Sequence, residues 1–382
     1  MRGRIILIAD FDSIKKDKLW QSFGTIDPFN NNFVEGYISH KPNDMYGALF
    51  ITKVNGDKYH QLIFSTPKIK YPFDKNGNWH FPKAKIIFCY TKLDGTNIFS
   101  FKYYGAKGKT YVSHKLRLQP FVRNAKFGTF LDMWKDILKN HPIIANLPDR
   151  IHMNLSYELW GSQNKHLIQY DTPLQTSLLY GRREGKILPP DTIRGYPSSI
   201  PEIDSLLTPL VRVVTRDYIW SYQEAQKEME RELTPINDGY KGREGEVWYV
   251  QTESSDWVLY KVKPETIETI HWTSGGMSRN IILATCQNAF EGKDDPSTED
   301  VINLLLEEFS PNQIENTKHL IERCLEETYT KHQFVRKVLE EYNNTGLDFL
   351  DDSGKVMRVL SGKFTKDEIQ KVYFILKENL IK

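Results

Sequence analysis

The feature that most constrains this chain is a change of hydrophobic period near residue 273. Up to about residue 270, short runs rich in β-branched and aromatic residues, among them Lys85–Tyr90 (KIIFCY), Thr176–Tyr180 (TSLLY) and Glu246–Val250 (EVWYV), are separated by Gly, Asn, Asp and Pro. That is the pattern of strands and turns. Two stretches break it with helical spacing: one around residues 128–140, where Phe130, Met133, Trp134, Ile137 and Leu138 share a face, and one from about Trp220 to Leu233. Beyond His271-Trp272-Thr273-Ser274-Gly275-Gly276, helix starts replace strands. Ser310-Pro311-Asn312-Gln313 offers a cap with Pro in the first turn, and Thr365 with Glu368 has capping-box spacing. Ile314, Leu320, Ile321, Cys324 and Leu325, then Phe334, Val335, Val338, Leu339 and Tyr342, each form an apolar helix face. The expected fold class is α+β for residues 1–272, followed by a small all-helical domain over residues 273–382, with the junction near Gly275 and Gly276.

Composition excludes disorder and fibrous classes, with 40% hydrophobic and 26% charged residues. The net charge is +2 despite 51 Lys and Arg, so binding of a polyanion would need local clustering of cations. Cys89, Cys286 and Cys324 are far apart and lack zinc or disulfide spacing, which fits a reducing, cytoplasmic setting. The apolar run Ile5–Ala9 is too brief for a signal or membrane segment and is expected to be a strand, with no membrane partner. Lys15, Lys16, Lys18 and Trp20 form either a substrate-facing strand or ordinary surface. Gly105-Ala106-Lys107-Gly108-Lys109-Thr110 has two residues between its glycines where a P-loop has four.

Chemistry gathers in four stretches. Lys92, in Thr91-Lys92-Leu93-Asp94-Gly95-Thr96-Asn97, ends an apolar strand beside a glycine that allows close approach of a ligand. By itself such a lysine is an ordinary turn residue, because Asp-Gly is a common hairpin signal. Tyr157-Glu158-Leu159-Trp160-Gly161 and Glu244-Gly245-Glu246-Val247 each put a carboxylate at a strand edge, where a surface role is the alternative. Lys261 and Lys263 alternate on one strand and share a face, about 7 Å apart by strand rise. Two converging ammonium groups suit an anion such as a polyphosphate.

In this order and spacing, over residues 66 to 265, the stretches resemble the motifs of the covalent nucleotidyltransferase superfamily: ATP-dependent DNA ligases, RNA ligases and mRNA capping enzymes. The resemblance implies an ATP-grasp-like ligase adenylation domain of antiparallel sheets and helices. It makes Lys92 the nucleophile toward the α-phosphorus of ATP, with Lys261 on the α-phosphate and Lys263 stabilising charge developed on it. Neighbouring cations and bound metal would favour the unprotonated amine that attack requires. Glu158 matches an acid on the nucleotide ribose, and Glu244 an acid holding hydrated Mg²⁺, for which Mn²⁺ can substitute. Asp94, Gly95 and Asn97 complete the first motif. Tyr180 is the best match to an adenine-stacking aromatic, with a core tyrosine as the alternative; Arg117 is a candidate for binding a terminal phosphate, a role Lys115 or His114 could equally take.

Asn97 stands where DNA ligases place an arginine, and helices follow the Lys261–Lys263 strand where DNA ligases and capping enzymes usually have a β-barrel. Both departures are similar to RNA-repair ligases. The expectation is an ATP-dependent RNA ligase joining 5′-phosphate and 3′-hydroxyl RNA ends. A DNA ligase or a GTP-using capping enzyme are the alternatives within the superfamily, and a non-catalytic RNA-end-binding protein is the alternative outside it. The helical domain is either a structural cap or a recognition module for RNA ends.

Overall fold

The computed structural model describes residues 13–41, 43–74, 77–124, 129–164, 166–194, 201–236, 239–267, 279–306, 309 and 311–380. The chain divides into two compact units, residues 1–123 with 130–273, and residues 124–129 with 274–382. In chain order the strands are β1 (Trp20–Ile26), β2 (Phe33–Ser39), β3 (Leu49–Val54), β4 (Asp57–Ile63), β5 (Ala84–Lys92), β6 (Thr96–Tyr104), β7 (Thr110–Leu116), β8 (Asn154–Trp160), β9 (Gln175–Arg183), β10 (Lys186–Leu188), β11 (Leu210–Val214), β12 (Thr234–Ile236), β13 (Gly239–Lys241), β14 (Gly245–Thr252) and β15 (Trp257–Val262). The longer helices are α1 (Phe130–Asn140), α2 (Tyr218–Glu232), α3 (Arg279–Gly292), α4 (Thr298–Leu305), α5 (Pro311–Asn343), α6 (Ser353–Leu360) and α7 (Ile369–Leu380).

The first unit is built from antiparallel sheets: β1-β2-β3-β4, β10-β9-β8-β6-β7, β11-β5-β14-β15 and the small β12-β13 pair. Strand alternation sorts its side chains into layers. Ile98, Leu155, Tyr157, Leu159 and Leu178 cover one face of the β8-centred sheet and pack on Phe130, Trp134 and Ile137 of α1. Ile87, Cys89, Trp248, Val250 and Val262 cover the outer face of the β5–β14 sheet and pack on Tyr222, Ala225 and Met229 of α2. Between the two sheets lies a shared core of Tyr90, Phe99, Phe101, Tyr103, Tyr180, Val247, Tyr249 and Leu259, joined by Val34, Ile38 and Leu49 of the first sheet.

β5 and β6 flank the Lys-x-Asp-Gly turn yet belong to different sheets. The turn is therefore a crossing between layers and not the hairpin that Asp-Gly by itself suggests. Gly95 is needed there because a Cβ would lie 2.2 Å from the Leu159 carbonyl oxygen. The close approach it permits within the protein is that of β8.

The described part of residues 279–380 consists of helices and their connections. The two apolar runs read between residues 314 and 342 lie on the single 33-residue helix α5. Nothing interrupts it, because Glu326–Gln333 contains neither Gly nor Pro. The two runs serve different clusters: Ile314, Ile321 and Cys324 pack with α3 and α4, and Val338 packs with Val356, Leu360, Val372 and Leu376 of α6 and α7. A capping box that the sequence reading passed over starts α4, where Ser297 Oγ accepts from the Asp300 amide and Asp300 accepts from the Ser297 amide. Thr365 and Glu368 form only half of theirs: Glu368 accepts from the Thr365 amide and hydroxyl at 2.9 Å, one turn ahead of α7. The Ile5–Ala9 strand, the Gly275–Gly276 junction and the Ser310 cap fall outside the described residues. Trp20 of the Lys15–Trp20 stretch is buried with Ile14, Ala48 and Phe50, which makes it a core residue; Lys15, Lys16 and Lys18 are exposed. Gly105–Lys109 holds a single 3-10 turn joining β6 and β7.

Trp134 has no exposed surface and touches both His114 and Tyr157. Trp134→Ala is expected to lower the unfolding free energy by about 3–5 kcal/mol through lost burial and the cavity left behind. Urea denaturation followed by circular dichroism checks this, and an unchanged midpoint would mean that α1 does not share the core.

Candidate active site

Strand register assembles the site where the β5–β14 and β8-centred sheets come together beyond their shared core. Lys92 is the Cα partner of Gly245 across β5 and β14, which puts Glu244 beside it. Glu246 pairs with Val262 across β14 and β15, which brings Lys263 to the same place. Glu244 accepts from Lys92 Nζ at 2.5 Å and pairs with Lys263 Nζ at 3.1 Å through its other oxygen. Opposite, Asn97 and Glu158 are Cα partners across β6 and β8, on the face turned toward the shared core. Glu158 lies on the central strand of its sheet and Glu244 at the start of an interior strand, so neither is an edge carboxylate.

Lys261 is buried, with its ammonium 4.6 Å from the centre of the Tyr71 ring. Helix α2 fixes the backbone around these groups. Gln226 donates to the Lys263 carbonyl at 3.0 Å, and Arg243 donates to Glu228 at 2.8 Å and to Glu232 at 2.7 Å. The fully buried Glu246 accepts from Arg212 at 2.8 Å and from the Trp248 indole at 2.9 Å, and pairs with Arg243 at 3.3 Å.

Three carboxyl groups meet different fates here. Burial pushes Glu244 up, but the charges of Lys92 and Lys263 outweigh it and hold the group down at about 2. Burial raises Glu158 to about 7, with the charges of Glu244 and Asp94 adding to the rise and those of Lys92 and Arg117 opposing it. Asp94 is raised by burial and then by the charge of Glu244, while His166, Lys92 and the Ile168 amide oppose the rise. A carboxylate held as low as Glu244 is a poor proton acceptor, so its effect on Lys92 is electrostatic.

The remaining sequence candidates divide. Asn97 is pinned within the protein: it donates to Ser156 Oγ at 2.9 Å and to the Tyr157 carbonyl at 3.1 Å, and accepts from Thr66 at 2.6 Å. Arg117 follows β7 on the same side, and its charge bears on Glu158. Lys115 is not available to a phosphate. It is fully buried, donates to the Leu116 and Arg117 carbonyls at 2.6 and 2.8 Å, and burial drives its amine well below the usual lysine range. His114 is likewise buried, hydrogen-bonded to Ser100 at 2.6 Å, and pushed down to about 3 by burial. Tyr180 is 1% exposed and enclosed in the shared core, which matches the core-tyrosine alternative.

Residues outside the motifs complete the surroundings. Asp94 Oδ2 accepts from the Ile168 amide at 2.7 Å, the Asp94 amide donates to the Tyr170 hydroxyl at 2.8 Å, and His166 lies 4.0 Å from Asp94. No spacing rule singles out Ile168 or Tyr170. Among the described residues no three His, Cys, Asp or Glu side chains form a self-sufficient metal cluster. The mutual charge repulsion among Glu158, Asp94 and Glu244 nonetheless suits a cation shared between one carboxylate and the phosphates of a ligand, the usual arrangement for Mg²⁺.

Neither a protein-family model nor a curated protein sequence matches the chain. Among solved structures, one form of an archaeal ATP-dependent RNA ligase is 14% identical, covering 87% of this chain and 79% of its own at a TM-score of 0.45. A second form is 12% identical, covering 94% and 93% at 0.42. A protein of Aquifex aeolicus, proposed to be an ATP-dependent DNA ligase, is 15% identical, covering 87% and 80% at 0.43.

Proposed function

We propose that this protein is an ATP-dependent RNA ligase that carries AMP on Lys92. The single observation behind this reading is the buried cluster in which Glu244 bridges Lys92 at 2.5 Å and Lys263 at 3.1 Å, with Glu158 on the facing sheet. Residues 1–272 act as the adenylyltransferase domain, and the helical residues 273–382 recognise RNA ends. The three cysteines are free and buried, in keeping with a cytoplasmic enzyme, and among the described residues no helix is long and apolar enough to cross a membrane.

In the first step the Lys92 amine attacks the α-phosphorus of ATP. A P–N bond forms, the bond to the bridging oxygen of pyrophosphate breaks, and the amine releases its proton to solvent. Lys263 and Lys261 stabilise charge on the α-phosphate during this exchange. The RNA 5′-phosphate then attacks the lysyl-AMP phosphorus, expelling the amine and forming a 5′-5′ pyrophosphate. Finally an RNA 3′-hydroxyl attacks the 5′-phosphorus, forming the phosphodiester and expelling AMP. Mg²⁺ or Mn²⁺, held by Glu244 together with the phosphates, would neutralise their charge and orient the leaving group. Glu158 meets the ribose and Arg117 a terminal phosphate; the Asp94–Asn97 turn holds Lys92 in line. Tyr180 stacks on adenine only if its neighbours part. Asn97, in place of arginine, is what favours RNA over DNA.

Incubation with labelled ATP, a divalent metal and no RNA is expected to label the wild-type protein and not Lys92→Ala, and chelation of the metal should abolish labelling. Labelling by GTP alone would move the reading to a capping-type enzyme. Absence of label with either nucleotide would overturn the lysyl-nucleotide mechanism and favour a non-catalytic RNA-end-binding protein.

Glu158 also yields a pH dependence. Its carboxyl is raised in the folded chain from 4.5 to about 7, so its contribution is complete below the unfolded value and is lost as pH rises through about 7. Relative to Glu158→Gln, the wild-type protein should lose stability between about pH 5 and about pH 8. Parallel urea curves across that range check this, and a constant difference between the two proteins would show that Glu158 titrates as an ordinary exposed carboxylate.

A further inference from the structure

The segment from Gly161 to Pro173 joins β8 to β9 and, beyond Gly161, carries none of the motif residues. Its ends close on each other, with the Ser162 amide donating to the Thr172 carbonyl and the Gln163 amide to the Pro173 carbonyl, both at 2.8 Å. Between them it grips two parts of the site. The Ile168 amide holds Asp94 at 2.7 Å, and Asn164 donates to the Leu159 carbonyl at 2.7 Å beside Gly95. On its other side, Leu167 and Gln169 exchange backbone hydrogen bonds with Tyr240 at 2.9 and 2.8 Å, just ahead of Glu244. The segment thereby ties the turn after Lys92 to the strand pair that precedes Glu244.

Tyr170 is the side chain of this segment that takes the Asp94 amide, in the turn after Lys92. Its ring lies 4.9 Å from that of Trp160, which shares the face of β8 with Glu158 two residues earlier. Its hydroxyl oxygen accepts from the Asp94 amide at 2.8 Å, which leaves the hydroxyl hydrogen to be donated, and among the described residues no acceptor takes it. Burial first, and then the charges of Asp94, Glu244 and Glu158, keep the proton on this hydroxyl, against the opposing effect of the Asp94 amide. Two of those carboxylates are already engaged, Asp94 by the Ile168 amide and Glu244 by Lys92 and Lys263.

We propose that Tyr170 is a further nucleotide-binding residue, its hydroxyl seated by the Asp94 amide and donating to an oxygen of the nucleotide that lies between Lys92 and Glu158. This rests on the nucleotidyl-transfer reading above. The hydroxyl takes no part in bond making, so its removal weakens nucleotide binding and leaves the P–N bond-forming step to Lys92, Lys261 and Lys263. Phe at this position keeps the ring against Trp160 and removes the hydroxyl alone.

The test is calorimetric titration of α,β-methylene-ATP with Mg²⁺ into the wild-type protein and Tyr170→Phe, with thermal melting of both proteins alone. The analogue lacks the cleavable oxygen, so affinity is measured apart from adenylylation. Tyr170→Phe is expected to melt cooperatively and to bind about 5- to 10-fold more weakly, the effect of one hydrogen bond. Equal affinity in the two proteins would overturn the role of Tyr170 alone, whereas a wild-type protein that does not bind the analogue would overturn the nucleotide reading with it. Should Tyr170→Phe not melt cooperatively, fluorotyrosine placed at position 170 of the otherwise native chain reports directly. Its fluorine resonance is expected to shift on adding the analogue, and a resonance that stays in place overturns the proposal.

Discussion

Taking Glu244 and Lys263 out of water, with Lys92 half-buried beside them, is tolerable only because each is the counter-ion of another. A lone buried charge costs several kcal/mol after relaxation, and breaking a buried pair by removing one partner typically costs about 3–5 kcal/mol. Glu244, at 5% exposure, satisfies two ammonium groups at once. That arrangement holds only while β5, β14 and β15 keep their register, because a shift of one residue would turn Lys92 to the opposite face. Much of the surrounding structure serves that register. Gln226 grips the Lys263 backbone, Arg243 is bound to α2 on the residue just before Glu244, and Glu246 is locked between Arg212 and Arg243 just after it.

The same constraint differentiates three chemically similar carboxyl groups. Glu244 has two cations in contact and is held down at about 2, whereas Glu158 has none in contact among the described residues and burial raises it to about 7. Asp94 is raised in the same way and relies on a backbone amide to moderate the rise. Environments that push like groups apart are how one site combines a fixed anion with groups that can change charge near neutrality. Here that separation comes from which sheet each carboxyl stands on: Glu244 shares its sheet with the lysines, and Glu158 does not.

How much of this could be read from the sequence depends on the range of the interaction. Alternation alone put Lys261 and Lys263 on one face, and helical spacing found α1 and α2, because both patterns follow from local backbone geometry. Lys115 shows the limit. Its position in β7 was legible, but burial among the Leu116 and Arg117 carbonyls is set by the tertiary path of a turn that no local pattern encodes. Tyr180 left two readings open for a similar reason: a lone aromatic on a strand cannot report which of two sheets will cover it. Tyr170 and Ile168 were missed because their partner, Asp94, lies more than seventy residues away and is met through the backbone, which leaves no trace in residue identity. Glu244 and Glu158 were recognised as candidates but placed at strand edges, since strand order within a sheet is a long-range property.

The Lys-x-Asp-Gly turn brings these threads together. In a hairpin, β5 and β6 would pair, and the inner-facing side chains of both would share a single surface. Because the chain instead crosses from one sheet to the other at Gly95, Lys92 closes the first sheet and Asn97 opens the second. The crossing demands that β8 pass within 2.2 Å of where a side chain at residue 95 would begin, so glycine there is a condition of the crossing. Asp94, caught at the crossing, has neither sheet to supply its partners and takes them from the Gly161–Pro173 segment. The position of Lys92 relative to Glu158 is thus fixed by the four residues that connect Lys92 to Asn97, the strand partner of Glu158, and by strand pairing on each side. A site that must hold a nucleophile and a ligand in line gains most from that kind of rigidity.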